Sequence, residues 1–149
     1  VSAPAYAKST LKETLRLYPV VHLVARTALK DVMLGRYLVR RGEEVVIPLY
    51  VLQRSPTLFQ RPDAFEPERW TDDPEKPVCH RYAHLPFSAG PRVCIGAAMA
   101  TAELRSVITD VLRCFRLEPL EPRAPRIANG MTISPAPGST RVRVIPAAS

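Results

Sequence analysis

Apolar positions along the chain change their spacing repeatedly, and each change marks an element. Over residues 6–18, Leu11, Leu15 and Tyr18 fall on one helical stripe, and Pro19 stops the pattern because the residue before a proline is pushed out of the helical region. The spacing predicts a short amphipathic helix within residues 1–18. From Val20 the pattern turns into short β-branched runs: Val20-Val21-His22-Leu23-Val24, Val32-Met33-Leu34, Tyr37-Leu38-Val39 and Glu44-Val45-Val46-Ile47. Gly35 and Arg41-Gly42 supply turns between them, so a small antiparallel sheet is predicted over residues 20–47. A second short helix is expected over 48–56, closed by Pro56, and the proline-punctuated residues 60–86 are predicted irregular. Helical spacing returns over 97–115, where Leu104, Val107, Ile108, Val111, Leu112 and Phe115 form a continuous stripe expected to face a core. Pro119 to Pro125 read as a linker. Residues 127–146 read as a closing β-hairpin, with Thr132-Ile133-Ser134 and Arg141-Val142-Arg143-Val144-Ile145 as its arms. The fold class is α+β.

Composition adjusts this picture in three ways. A hydrophobic share of 46% over 149 residues is enough for one domain with a core. Sixteen prolines, about twice the average share, confine long elements to proline-free stretches such as 92–118. The net charge of +7 comes mostly from 17 arginines against 4 lysines. Such a balance can signal nucleic-acid binding, but neither a recognition helix nor an aromatic-basic sheet accompanies it, so no nucleic-acid partner is expected. Cys79, Cys94 and Cys114 lack the regular spacing of a disulfide framework and read as reduced thiols. Cys79-His80 with His84 offers a zinc alternative to plain loop residues, although no C-x-x-C pair or fourth ligand stands nearby. Neither a signal peptide nor a long apolar run is visible. The chain starts without Met in the run-up to a helix, and is read as the C-terminal part of a longer, cytoplasmic protein, with an upstream membrane anchor left open.

The stretch with the most pointed chemistry is Phe87-Ser88-Ala89-Gly90-Pro91-Arg92-Val93-Cys94-Ile95-Gly96, which runs straight into the second long helix. Free backbone N–H groups and the helix dipole at such a position favour the anionic thiolate, which is the metal-binding form of cysteine. Gly90 and Gly96 are expected to permit a tight turn and close approach beside the sulfur, Pro91 to stiffen the loop, and Arg92 to add positive charge. A buried cysteine at an ordinary turn-to-helix junction is the plainer reading. Earlier in the chain, Glu13 and Arg16 lie three residues apart on one helical face. In isolation such a pair is a surface bridge worth well under ~1 kcal/mol.

Three motifs in order carry a resemblance. Phe87-x-x-Gly90-x-Arg92-x-Cys94-x-Gly96 resembles the haem-binding loop of the cytochrome P-450 family, Glu13-Thr14-Leu15-Arg16 followed by Leu17-Tyr18-Pro19 resembles its Glu-x-x-Arg helix, and Phe65-Glu66-Pro67-Glu68-Arg69-Trp70 resembles its Phe-x-Pro-x-Arg segment. The resemblance covers essentially the whole chain and implies the C-terminal part of that mostly helical fold with small antiparallel sheets, not a complete fold. It implies haem (iron protoporphyrin IX) as cofactor, with Cys94 as iron ligand. Phe87 and Gly96 would flank the sulfur, and Arg92, His84 and Arg26 would meet the propionates. Glu13, Arg16 and Arg69 would form one structural network, with Arg69 in a meander spanning 60–86. Val20, Val21, His22, Leu23, Val24 and Met131 would line the substrate pocket. The implied activity is a monooxygenase that inserts oxygen from O₂ into a small apolar organic substrate, with electrons ultimately from NAD(P)H through a ferredoxin- or flavodoxin-type or diflavin reductase donor. Catalytic residues for oxygen activation are not found in this chain. A haem-thiolate isomerase or peroxygenase is the alternative within the fold, and a non-catalytic basic interaction module without cofactor is the alternative outside it.

Overall fold

The computed structural model describes residues 3–70, 80–121, 123–128, 130 and 132–147. Helix α1 (Ala3–Leu17) buries Ala7, Leu11 and Leu15 at four-residue intervals, and with them Leu17. It ends before Pro19, with Tyr18 N–H closing the last turn onto the Thr14 carbonyl at 2.7 Å.

The β-branched region divides into a nested pair of two-stranded sheets. Strand β1 (Val24–Thr27) pairs antiparallel with β4 (Glu44–Ile47), Val24 opposite Ile47. Between them β2 (Val32–Leu34) pairs with β3 (Tyr37–Val39). Gly35, at φ +61°, makes the two-residue turn between β2 and β3, a backbone state that a Cβ disfavours. Residues 20–23, expected as strand, remain irregular.

Helix α2 (Leu49–Leu52) is a single turn, shorter than the predicted 48–56, and it delivers Leu49 and Gln53 to the interior. Two 3₁₀ turns follow, at Pro67–Arg69 and at Gly90–Arg92. Helix α3 (Ala97–Cys114) lies alongside α1.

The closing hairpin requires correction. Val142–Pro146 (β8) pairs not with residues 132–134 but with Phe115–Pro119 (β5), which emerges directly from α3 where the tail of a helix and a linker were expected. Phe115-Arg116-Leu117-Glu118 and Val142-Arg143-Val144 alternate apolar and charged residues with period two, and the register sets Glu118 opposite Arg143 and Leu117 opposite Val144. The residues expected to partner β8 instead form a two-residue ladder, β6 (Ile127–Ala128) with β7 (Ser134–Pro135). Pro135 and Pro137 lack the N–H groups that a longer ladder would need. This small hairpin is tied back to the first half of the chain where Ile133 N–H donates to the Val20 carbonyl at 2.8 Å.

The core is concentrated at the C-terminal half of α1, where Leu11, Leu15, Leu49, Phe59 and Ala83 meet around three buried polar side chains, Glu13, Arg16 and Gln53. The apolar stripe of α3 is a second correction. No residue of that helix is buried: Ile108 and Val111 are half-buried, and Leu104, Val107 and Leu112 are exposed, because α1 and the other described residues cover the stripe only in part.

Candidate functional site

Two constellations stand out, one closed and one open. The closed one is built on Glu13, whose side chain is 0% exposed. Its Oε1 accepts from Arg16 Nη2 at 2.8 Å, the Glu66 backbone N–H at 2.9 Å and Arg69 Nε at 3.0 Å. Its Oε2 accepts from Arg16 Nε and from Trp70 Nε1, both at 2.9 Å. Burial alone would raise the Glu13 pKa, but the hydrogen bonds from Arg16, Glu66, Trp70 and Arg69 outweigh it and hold the carboxyl at about 2. The Arg16 fork is used completely: beyond Glu13 it donates to the carbonyls of Gln53, Pro62 and Ala64, and Phe59 packs on its face at 5.1 Å. Arg69 also donates to the Gln60 carbonyl and pairs with Glu66. This is a buried, satisfied network rather than a surface bridge.

The open constellation surrounds Cys94. The loop before it makes its turn at Ser88 (φ +63°) and Gly90 (φ +70°), and Phe87 accepts the Cys94 backbone N–H at 2.9 Å. Gly90 needs its lack of a side chain for that φ. Gly96, at φ −85°, does not, and a Cβ there would stand 3.9 Å from the Cys94 sulfur, so its tight-turn role is replaced by leaving one flank of the sulfur clear. Cys94 is exposed and lines a cavity of about 920 Å³ with Phe87, Ser88 and Arg92 on its own side. Val20, Val21, Val24 and Leu104 supply apolar wall, and Arg26 also lines the cavity. Arg26 donates to the Ala25 carbonyl at 2.7 Å, and neither Arg26 nor Arg92 has a carboxylate partner among the described residues.

Other expected site residues stand elsewhere. His84 does not line the cavity; its ring packs against Trp70, tilted, with centroids 4.5 Å apart, and Nε2 is buried and unpartnered. Burial pushes the His84 imidazole down to about 4, against a hydrogen bond to the Lys12 backbone that favours the cation. The cations at the cavity are therefore the two arginines. His22 and Leu23 do not line it either; the His22 carbonyl accepts from Tyr50 N–H at 3.1 Å, and its Nδ1 is buried without a partner. Met131 and Cys79 lie outside the described residues. No group of three or more His, Cys, Asp or Glu suited to a metal ion occurs among the described residues.

Three contributors escaped the sequence reading. Gln53 sits in an apolar run without any motif around it, Trp70 donates to Glu13 through an indole that reads as a packing residue, and Ser88 adopts a φ that glycine usually supplies.

Comparison with known proteins agrees with this geometry. The cytochrome P-450 family model matches residues 4–142. Cytochrome P-450 4d2 of Drosophila melanogaster is 38% identical over 89% of this chain and 26% of its own length. Human cytochrome P-450 4V2 is 42% identical over 76% of this chain and 21% of its own. The retinoic acid-bound cyanobacterial CYP120A1 structure superposes with a TM-score of 0.86 at 26% identity, over 95% of this chain and 32% of that one. The chain thus spans about a quarter of the curated relatives it matches. With a family match along nearly its whole length and a fold shared with a solved member, this chain belongs to the cytochrome P450 family.

Proposed function

We propose that the chain is the thiolate-bearing, haem-binding portion of a monooxygenase acting on an apolar organic substrate. The observation that carries this is the meeting of a cysteine sulfur, apolar walls and two carboxylate-free guanidinium groups around one cavity. These suit haem in kind: a soft anionic donor for iron, aliphatic surface for the macrocycle, and Arg26 and Arg92 for its two propionates. When bound, haem would supply activation of O₂, with reducing equivalents ultimately from NAD(P)H through a protein donor.

The chain's own residues do the holding. The Phe87 carbonyl fixes the Cys94 backbone, and that loop sets where the sulfur stands. Gly96 leaves room beside it. Val20, Val21 and Val24 give the cavity an apolar lining, which favours an apolar substrate. Retinoic acid in the cyanobacterial structure is in keeping with that preference.

Replacing Cys94 with Ser in the intact protein that carries this chain tests the reading. The red-shifted Soret band of the ferrous carbonyl complex should disappear, whereas Cys114→Ser leaves it in place. A normal thiolate spectrum from the Cys94 variant would remove the assignment.

A further inference from the structure

We infer that Gln53 is a positioning residue for the Cys94 loop, coupling it to the buried Glu13 network, an inference that rests on the haem-thiolate reading. Gln53 is 0% exposed and uses both ends of its amide. Its Nε2 donates to the carbonyls of Leu15 at 3.1 Å and Arg16 at 3.0 Å, two of the carbonyls that the end of α1 leaves without helical partners. Its Oε1 accepts the Leu85 backbone N–H at 2.8 Å. Its own carbonyl receives Arg16 Nη1 at 2.9 Å. One side chain therefore ties the end of the Glu13–Arg16 helix to the first residue of the segment that leads to the sulfur.

From Leu85 the path to Cys94 is short and hydrogen-bonded throughout. The Leu85 carbonyl accepts Ser88 N–H at 3.1 Å, which sets the left-handed turn at Ser88, and the Phe87 carbonyl accepts Cys94 N–H at 2.9 Å. A loop with the non-glycine Ser88 at positive φ stays in that shape only while its surroundings impose it. The Leu85 anchor is where the interior imposes it. Gln53 touches neither the sulfur nor the cavity, so it acts through the loop.

The test uses the intact protein carrying this chain, with Gln53→Leu and Gln53→Glu. Gln53→Leu removes the acceptor at Leu85, and folded protein should retain haem about 10-fold less well, with the red-shifted carbonyl band largely converted to a blue-shifted form. Gln53→Glu keeps an acceptor facing Leu85 N–H and withdraws the donors from α1; it should melt earlier yet keep the red-shifted band. Folded Gln53→Leu protein with the parent's share of that band would overturn the inference, as would both variants losing it in step with melting temperature. Amide exchange at Leu85 in the unaltered protein gives a readout that survives poor folding of the variants. Protection matching that of the Cys94 amide is expected, and solvent-rate exchange overturns the anchor. A parent without any thiolate band would instead bring down the haem reading, which separates the two failures.

Discussion

The Glu13 network and the Cys94 face treat charge in opposite ways. Around Glu13 the hydrogen bonds of carboxylate and guanidinium are completed from within the chain, and the side chains of Glu13 and Arg16 are 0% exposed. Around Cys94 the sulfur and Arg92 are exposed, and the apolar stripe of α3 beside them carries no buried residue. Arginine thus serves two purposes. Arg16 is a strut that supplies two of the hydrogen bonds to a buried carboxylate, whereas Arg92 is exposed and has no carboxylate partner among the described residues.

The largest expected effect follows from that contrast. Arg16→Ala should cost roughly 3–5 kcal/mol by removing one partner of a buried ion pair, leaving Glu13 with Arg69 as its remaining cation, whereas Arg92→Ala without haem should stay within about 0.5 kcal/mol. Denaturant melts of the two variants decide it, and equal losses would erase the distinction. Next comes packing. Leu11→Ala should cost about 2–5 kcal/mol, but Leu112→Ala in residues 1–149 alone should fall within about 0.5 kcal/mol, since Leu112 is 58% exposed.

Acid sharpens the comparison further. The folded His84 pKa lies at about 4 against a reference of 6.5, so its contribution is complete above 6.5 and is lost as pH falls from there toward 4. Glu13, at about 2 against 4.5, contributes fully above 4.5 and is lost as pH falls toward 2. His84 faces Lys12, Glu13 and Arg16, and Lys12 and Arg16 disfavour its charged form. His84→Phe should flatten stability across the upper window, by on the order of 3 kcal/mol, and leave the lower window steep. A pH series of thermal melts shows whether the two windows separate. The smallest of the expected losses within the Glu13 network is that of Trp70→Phe, which keeps a ring beside Phe59 and His84 but removes the indole donor to Glu13. It should cost about 1.5 kcal/mol, the low end for hydrogen bonds to a charged group.

Legibility in the sequence followed the locality of the cause. Leu11, Leu15 and Pro19 fix α1 through spacing and backbone sterics within a few residues, and Glu13 with Arg16 could be placed on one face for the same reason. Their burial could not, because it depends on Phe59, Pro62 and Ala64 arriving from far along the chain. The Cys94 loop was readable from its motif, but the packing of His84 against Trp70 was not, because proximity in sequence to Phe87 says nothing about which side of the chain an imidazole faces. Strand β5 had a readable alternation in Phe115-Arg116-Leu117-Glu118, masked by its continuity with α3. Gln53 carried no signal, since nothing local distinguishes a polar side chain in a short helix from one that bridges two distant backbones.

The reach of the Glu13 bonds also sets an order of events in time. Three donors lie 53, 56 and 57 residues away along the chain, at Glu66, Arg69 and Trp70. Closing a loop of that length costs entropy before any of those bonds returns energy, so the knot forms after the local structure of α1. Interactions completed late act on the escape from the native state rather than on its approach. Arg69→Ala and Trp70→Phe should accordingly steepen the loss of folded molecules per second while the refolding limb of the chevron stays in place, making this carboxylate a lock on lifetime.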